Sequence, residues 1–218
     1  MKKMSTKKMT TLAMFTALAV VLTLLLRVPL VPSVPFLTYD PKDVVIALGG
    51  FLFGPLSAMI VSMLSSGIEL LFRGGNIIDW LMNVLSTCTL VCTAAFVYKK
   101  HHTKNGAFIG LLIGMAANIL LMLAWNYVMD PIYFGMPQEA VNAMLPAIAL
   151  FNFLKDSINI VLILLIYKPV VNALRHSGLV ESESKAAKQS SDKKTFAVVG
   201  GFVLATIVVF LLTMIFRG

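Results

Sequence analysis

The sequence predicts an all-α integral membrane protein, on three observations. Of its 218 residues 58% are hydrophobic and only 13% charged, with a mean hydropathy of +0.88, more apolar than a soluble domain of this length. The apolar residues fall in long runs, at about 10–30, 43–53, 55–72, 77–98, 107–128, 145–167 and 195–216, separated by short polar or Pro/Gly breaks. No alternating strand pattern competes with them. The net charge of +8 raises nucleic acid as a partner, but in a multispanning chain Lys and Arg gather in cytoplasmic loops and orient the protein, so none is expected.

The first run follows MKKMSTKK, the basic-then-apolar layout of a signal peptide, yet it lacks an A-x-A site and runs into Arg27 and a Pro-rich turn. It reads as a retained first span with a cytoplasmic N-terminus. On it Ala13 and Ala17 make a small-x-x-x-small step that lets another helix approach closely. The stretch 43–72, as one helix, would reach about 45 Å, beyond a ~30 Å hydrocarbon core, and Gly54-Pro55 offers a break. Two crossings there also keep most of the 18 Lys and Arg, at 2–8, 99–104 and 168–194, on one cytoplasmic side. The second helix, 43–53, is then only about 17 Å long, so its outer end lies below the membrane surface and the loop VPSVPFLTYDPKD dips inward. Irregular backbone at that depth is tolerated only when buried in protein or lining a cavity. Phe36, Leu37 and Tyr39 are placed to close such a cavity, with Asp40 capping the second helix and Pro41 beginning it; an interfacial aromatic belt is the alternative.

The third span carries Glu69, a candidate partner for Lys155, and ends at Arg73. The fourth has Asp79 and Asn83 near its outer end, the fifth closes on Asn126 and Tyr127, and Tyr133 lies in the loop beyond. The sixth, FNFLKDSINIVLILLIY, sets Asn152, Lys155, Asp156 and Asn159 on or beside one helical face. Counted from Pro146, Lys155 lies roughly 14 Å along the helix, about half of the hydrocarbon layer. An ammonium there costs several kcal/mol unless it faces a partner or a cavity. One reading is a ligand pocket. The other has Lys155 paired with an acid on another helix and the asparagines bonding helices together. Residues 179–194 read as a polar cytoplasmic linker, and 195–218 as an additional C-terminal transmembrane helix, an anchor or partner contact, that leaves the C-terminus outside.

Cys88 and Cys92, four apart in an apolar run, fit neither a zinc site nor a secreted disulfide framework and read as buried thiols. His101, His102 and His176 sit among Lys and Arg outside the spans and read as solvated. There is no G-x-x-x-x-G-K-[ST], no H-E-x-x-H, and no G-x-S-x-G with a membrane-embedded histidine. The chain is therefore not expected to be an enzyme, to hold a metal or to carry a catalytic residue, and energy for any uptake must come from a partner or an ion gradient.

Taken in order, PFLTYDPKD, GGFLFGP and FNFLKDSIN resemble the riboflavin-specific substrate-binding subunit (S component) of energy-coupling factor (ECF) transporters, over about residues 8–178. The resemblance implies a six-helix S-component bundle, domain 1–178, that holds one vitamin near its outer face. It also implies work with a transmembrane coupling subunit and two ATPase subunits. In that family the loop after the first helix lids the pocket, here Phe36, Leu37, Thr38, Tyr39 and Asp40. Asn152 and Lys155 match residues that contact the flavin ring, and Asn126 matches an asparagine late in the fifth helix. Ala13 and Ala17 match small residues that meet the coupling subunit; Val21 stands where a third would come.

The chemistry agrees. A flavin's pyrimidine edge alternates carbonyl acceptors with an N–H donor, so an amide pairs with both and an ammonium serves a carbonyl. Glu69, Asn83 and Asn159 complete the expected ligand-binding set, and Tyr39, Asp40 or Asn126 could meet the ribityl hydroxyls. Riboflavin is thus the expected ligand, carried as cargo rather than held as a cofactor, in a protein surrounded by membrane lipid. Two rivals remain: flavin mononucleotide (FMN) or another vitamin on the same fold, with Arg73, Lys42 or Arg27 for a phosphate, and a non-transporting membrane scaffold.

Overall fold

The computed structural model describes residues 5–101 and 103–180; the expected seventh span and all but the first two residues of the linker lie outside them. The helices are α1 (Thr6–Leu25), α2 (Lys42–Phe53), α3 (Pro55–Arg73), α4 (Ile77–Lys100), α5 (Lys104–Tyr133) and α6 (Gln138–His176). Five are long and apolar enough to cross a membrane, whereas α2, at 12 residues, is not. Among the described residues the extended pairing is a single bridge, Val28 with Tyr39.

The expected break at Gly54-Pro55 is present. The Gly54 N–H closes α2 on the Gly50 carbonyl at 2.8 Å, its φ of 89° suits glycine, and Pro55 opens α3. The two helices run antiparallel, because Lys42 at the start of α2 meets Glu69 near the end of α3 at 2.7 Å.

Several boundaries differ from expectation. α1 stops at Leu25 rather than near residue 30: Pro29 disfavours helix at Val28, which instead exchanges hydrogen bonds with Tyr39 at 3.0 and 2.9 Å. Pro41 occupies the cap position of α2 rather than its first turn, while Asp40 Oδ1 still accepts the Lys42 N–H at 3.2 Å. α6 begins at Gln138 and runs through Pro146 and Pro169 to His176; its 39 residues reach about 58 Å, more than a membrane core. Prolines are tolerated inside such helices where neighbouring elements satisfy the freed backbone groups.

Helix α2 is the centre of the bundle. Every residue from Lys42 to Phe51 is buried, against α1, α3, α4 and α6. Away from the α1–α2 loop the packing uses small residues. A Cβ on Gly110 would lie 2.9 Å from the Ala94 carbonyl, and one on Gly114 would collide with the Leu90 carbonyl, inside the π-helical turn Cys88–Cys92 of α4. Cys88 and Cys92 are buried free thiols, and Cys92 donates to the Pro55 carbonyl at 3.4 Å. Farther along the same half the Tyr98 and Tyr167 hydroxyls meet at 2.9 Å beside the Phe51 ring.

At the opposite end the α1–α2 loop folds over the bundle. Val31, Val34 and Leu37 pack on Ile148 and Phe151 of α6 with Leu123 of α5, and the Phe36 ring lies 5.1 Å from that of Phe134. Tyr133, expected in a loop, is the last residue of α5 and donates to Asp79 at 2.9 Å.

Candidate ligand-binding site

The face of α6 predicted to carry chemistry is buried as a unit, Asn152, Lys155, Asp156 and Asn159 together. Lys155, only 9% exposed, places Nζ 3.1 Å from Asp43 Oδ2 of α2 and donates to Ser86 Oγ of α4 at 3.4 Å. The expected Lys155–Glu69 pair is therefore corrected. Glu69 takes Lys42 at 2.7 Å, with Arg27 at 3.7 Å and Arg73 at 3.8 Å. The cause is the depth of the first turn of α2, which buries two adjacent opposite charges that point to different sides, Lys42 toward α3 and Asp43 toward α4 and α6.

Asp43 is the hub of the network. Besides Lys155 it accepts from Thr87 at 2.6 Å and from Asn159 at 3.3 Å. Lys42 also donates to Asn83 at 3.2 Å, and Asp40 accepts from Thr23 at 3.2 Å, whose carbonyl takes the Arg73 guanidinium. Five predicted residues, Asp40, Glu69, Asn83, Lys155 and Asn159, are thus joined through Lys42 and Asp43.

Others stand apart from that network. Asn126 and Asn152 each turn their amide N–H back on their own helix, to the carbonyls of Met122 at 2.7 Å and Ile148 at 2.9 Å. In the loop, Leu37 and Asp40 are buried and Phe36 is exposed, while the Tyr39 hydroxyl lies close enough to Asp43, Asp40 and Lys155 to feel their charges. Asp156, paired with Asn118 at 2.8 Å, ties α6 to α5.

Several buried oxygens at this end have no hydrogen-bond partner within the described residues: Thr38 Oγ1, Tyr39 Oη, Asn126 Oδ1, Asp130 Oδ2 and Asn159 Oδ1. Each such group costs about 1–3 kcal/mol when left unmatched. Unmatched oxygens of this kind suit a ligand that brings its own donors.

Lys42, considered only for a phosphate, and Asp43, Asn118 and Asp130 were absent from the expected ligand-binding set. The short second helix held the signal for the first two, because a helix that starts deep takes its first-turn charges with it. Asp130 lies one turn from Asn126 along α5 and shares its face, whereas Asn118, two turns from Asn126 on the other side, stands about a third of a turn round the helix from Asp130. Ala13 and Ala17 are exposed, opposite the buried Leu12, Phe15, Thr16 and Ala19 of α1.

A family model described as "ECF transporter, substrate-specific component" matches residues 7–171. The chain belongs to that family. This S component is similar to a solved structure described as the S component of a bacterial ECF transporter, with a TM-score of 0.67 and 28% identity over 78% of this chain and 98% of that one. It is 29% identical over 177 residues to the riboflavin transporter RibU of Staphylococcus aureus, covering 78% of this chain and 93% of that protein. The riboflavin transporter FmnP of Bacillus subtilis is 29% identical over 130 residues, 58% and 67% of the two chains. These findings bear out the multispanning α-helical S-component fold, and the relatives are named as transporters rather than enzymes.

Proposed function

We propose that this S component captures riboflavin beneath the α1–α2 loop at the outer membrane face and hands it to an ATP-driven module. That module comprises a transmembrane coupling subunit and two ATPase subunits. The observation that carries the reading is the set of buried, unpartnered oxygens on the α1–α2 loop, α5 and α6, in a chain whose relatives are named riboflavin transporters. Asn152 and Lys155, one turn apart on α6, supply the amide and the ammonium for the flavin's pyrimidine edge. The ion pair with Asp43 does not exhaust Lys155, because an ammonium has three donors and Asp43 and Ser86 take two. Asp43 then positions the amine rather than replacing the ligand. Buried Leu37, Ile148 and Phe151 offer apolar walls for the ring.

The cations considered for a phosphate all converge on Glu69, which favours riboflavin over FMN. The Lys155–Asp43 pair is the one observation that favours a scaffold, since it is what helix association alone would produce. Purification in detergent followed by an absorbance spectrum separates the two. Riboflavin binding near one equivalent, weakened roughly ten- to a hundredfold by Asn152→Ala or Lys155→Ala, is expected. Colourless protein that takes up no added flavin would establish the scaffold.

A further inference from the structure

Asp130 carries one of the unpartnered oxygens named above, yet no part of the ligand has been assigned to it. It is 5% exposed, and its Oδ2 has no hydrogen-bond partner within the described residues. A carboxylate in an apolar bundle ordinarily has a cation or several donors beside it. Its place in the fold is well defined. Leu123 of α5 and Phe134, the residue that caps its C-terminus, both touch the α1–α2 loop, Leu123 within the cluster around Leu37 and Phe134 through Phe36. Asp130 lies between them at helical spacings of seven and four, so it shares their stripe and faces the loop. Asn126, one turn back and buried, has an Oδ1 without a hydrogen-bond partner within the described residues.

This end of the site is chemically unlike the other. The Asn118–Asp156 bond fixes the register of α5 against α6, and Asp130 lies about 18 Å along α5 from Asn118. Near Lys155 the site offers an ammonium and amides. Near Asp130 it offers a carboxylate and an amide oxygen, both acceptors. A polyol chain, whose hydroxyls donate, satisfies such a set, whereas a phosphate brings only acceptors and negative charge. A carboxylate facing a phosphate is a like-charge contact in a weakly screening medium.

We propose that Asp130 reads the hydroxyl-bearing tail of the ligand and excludes its phosphorylated form. The inference rests on the proposed riboflavin reading and adds the residue that sets tail selectivity.

The test compares three probes on the full-length detergent-purified protein: riboflavin, FMN, and lumiflavin, which keeps the ring system but carries a methyl in place of the ribityl chain. In the wild type riboflavin should bind more tightly than either of the others. Asp130→Ala and Asp130→Asn should weaken riboflavin roughly tenfold or more, leave lumiflavin unchanged, and narrow the gap between FMN and riboflavin. Retained lumiflavin binding shows that each variant is folded. Unchanged riboflavin affinity, or equal loss of riboflavin and lumiflavin in both variants, would overturn the role of Asp130. A wild type that binds no flavin would instead overturn the underlying reading.

Discussion

The two halves of the bundle are built on opposite principles. Around Gly110, Gly114, Cys92 and the Tyr98–Tyr167 pair, helices approach until backbone nearly meets backbone, and the polar side-chain atoms named there are bonded within the chain. Around Lys155, Asp43 and the α1–α2 loop, the same apolar helices bury ionised groups, and several oxygens remain unmatched. Close packing of small residues rigidifies because any added volume meets backbone, which cannot move aside as a side chain can. Surplus polar groups cost stability and are kept where a ligand repays them. On the proposed reading, the first half gives structure and the second recognition.

The sharpest way to break this division is at the hub. Lys155→Met leaves Asp43 as an uncompensated buried carboxylate and should cost about 3–5 kcal/mol, read as a large drop in thermal midpoint in detergent. Adding Asp43→Asn removes the orphan charge and should restore most of the stability. Riboflavin affinity should stay low in the double variant, because the ammonium proposed to serve the flavin carbonyl is gone. Recovery of both together would mean that the pair is only structural.

In the other half, Gly114→Ala should cost about 1–3 kcal/mol, because its methyl has nowhere to go but into the Leu90 carbonyl. Flavin affinity per folded molecule should be unchanged, as titration of the surviving fraction would show. A selective loss of binding would place the π-helical turn in the recognition half instead.

How much of this was legible beforehand differs between the halves for a physical reason. Spans show in the sequence because twenty apolar residues announce themselves, and Gly54-Pro55 announced the α2–α3 break. The ends of α1 and α6 did not, because the Val28–Tyr39 bridge and the proline-tolerant packing of α6 are tertiary facts. Within the site, Lys155 was visible as an ammonium in oil, but its partner was not. Glu69 and Asp43 are both acids at helix ends, and only the depth and rotation of α2 decide that Lys42 claims the first and Lys155 the second. Asp130, beyond the expected end of the fifth span at about residue 128, is helical.

A smaller effect tests how tightly the rigid half is closed. Tyr98→Phe removes the hydroxyl contact with Tyr167 and should cost about 1 kcal/mol, measured as a modest fall in thermal midpoint with flavin binding intact.

The last prediction expects no effect on the isolated chain. Ala13 and Ala17 project from α1 away from its buried face, among the exposed Met14, Leu18 and Val21. Leucine at both positions adds apolar surface where nothing within the chain is displaced, so stability and riboflavin affinity should match the wild type. If these alanines let the coupling subunit approach closely, the added side chains hold that helix away, since association between helices in lipid depends on close van der Waals packing. Co-purification of the S component with its module should then fall while flavin stays bound. Undiminished co-purification would move the partner contact to another face, and lost flavin binding would show that α1 belongs to the recognition half.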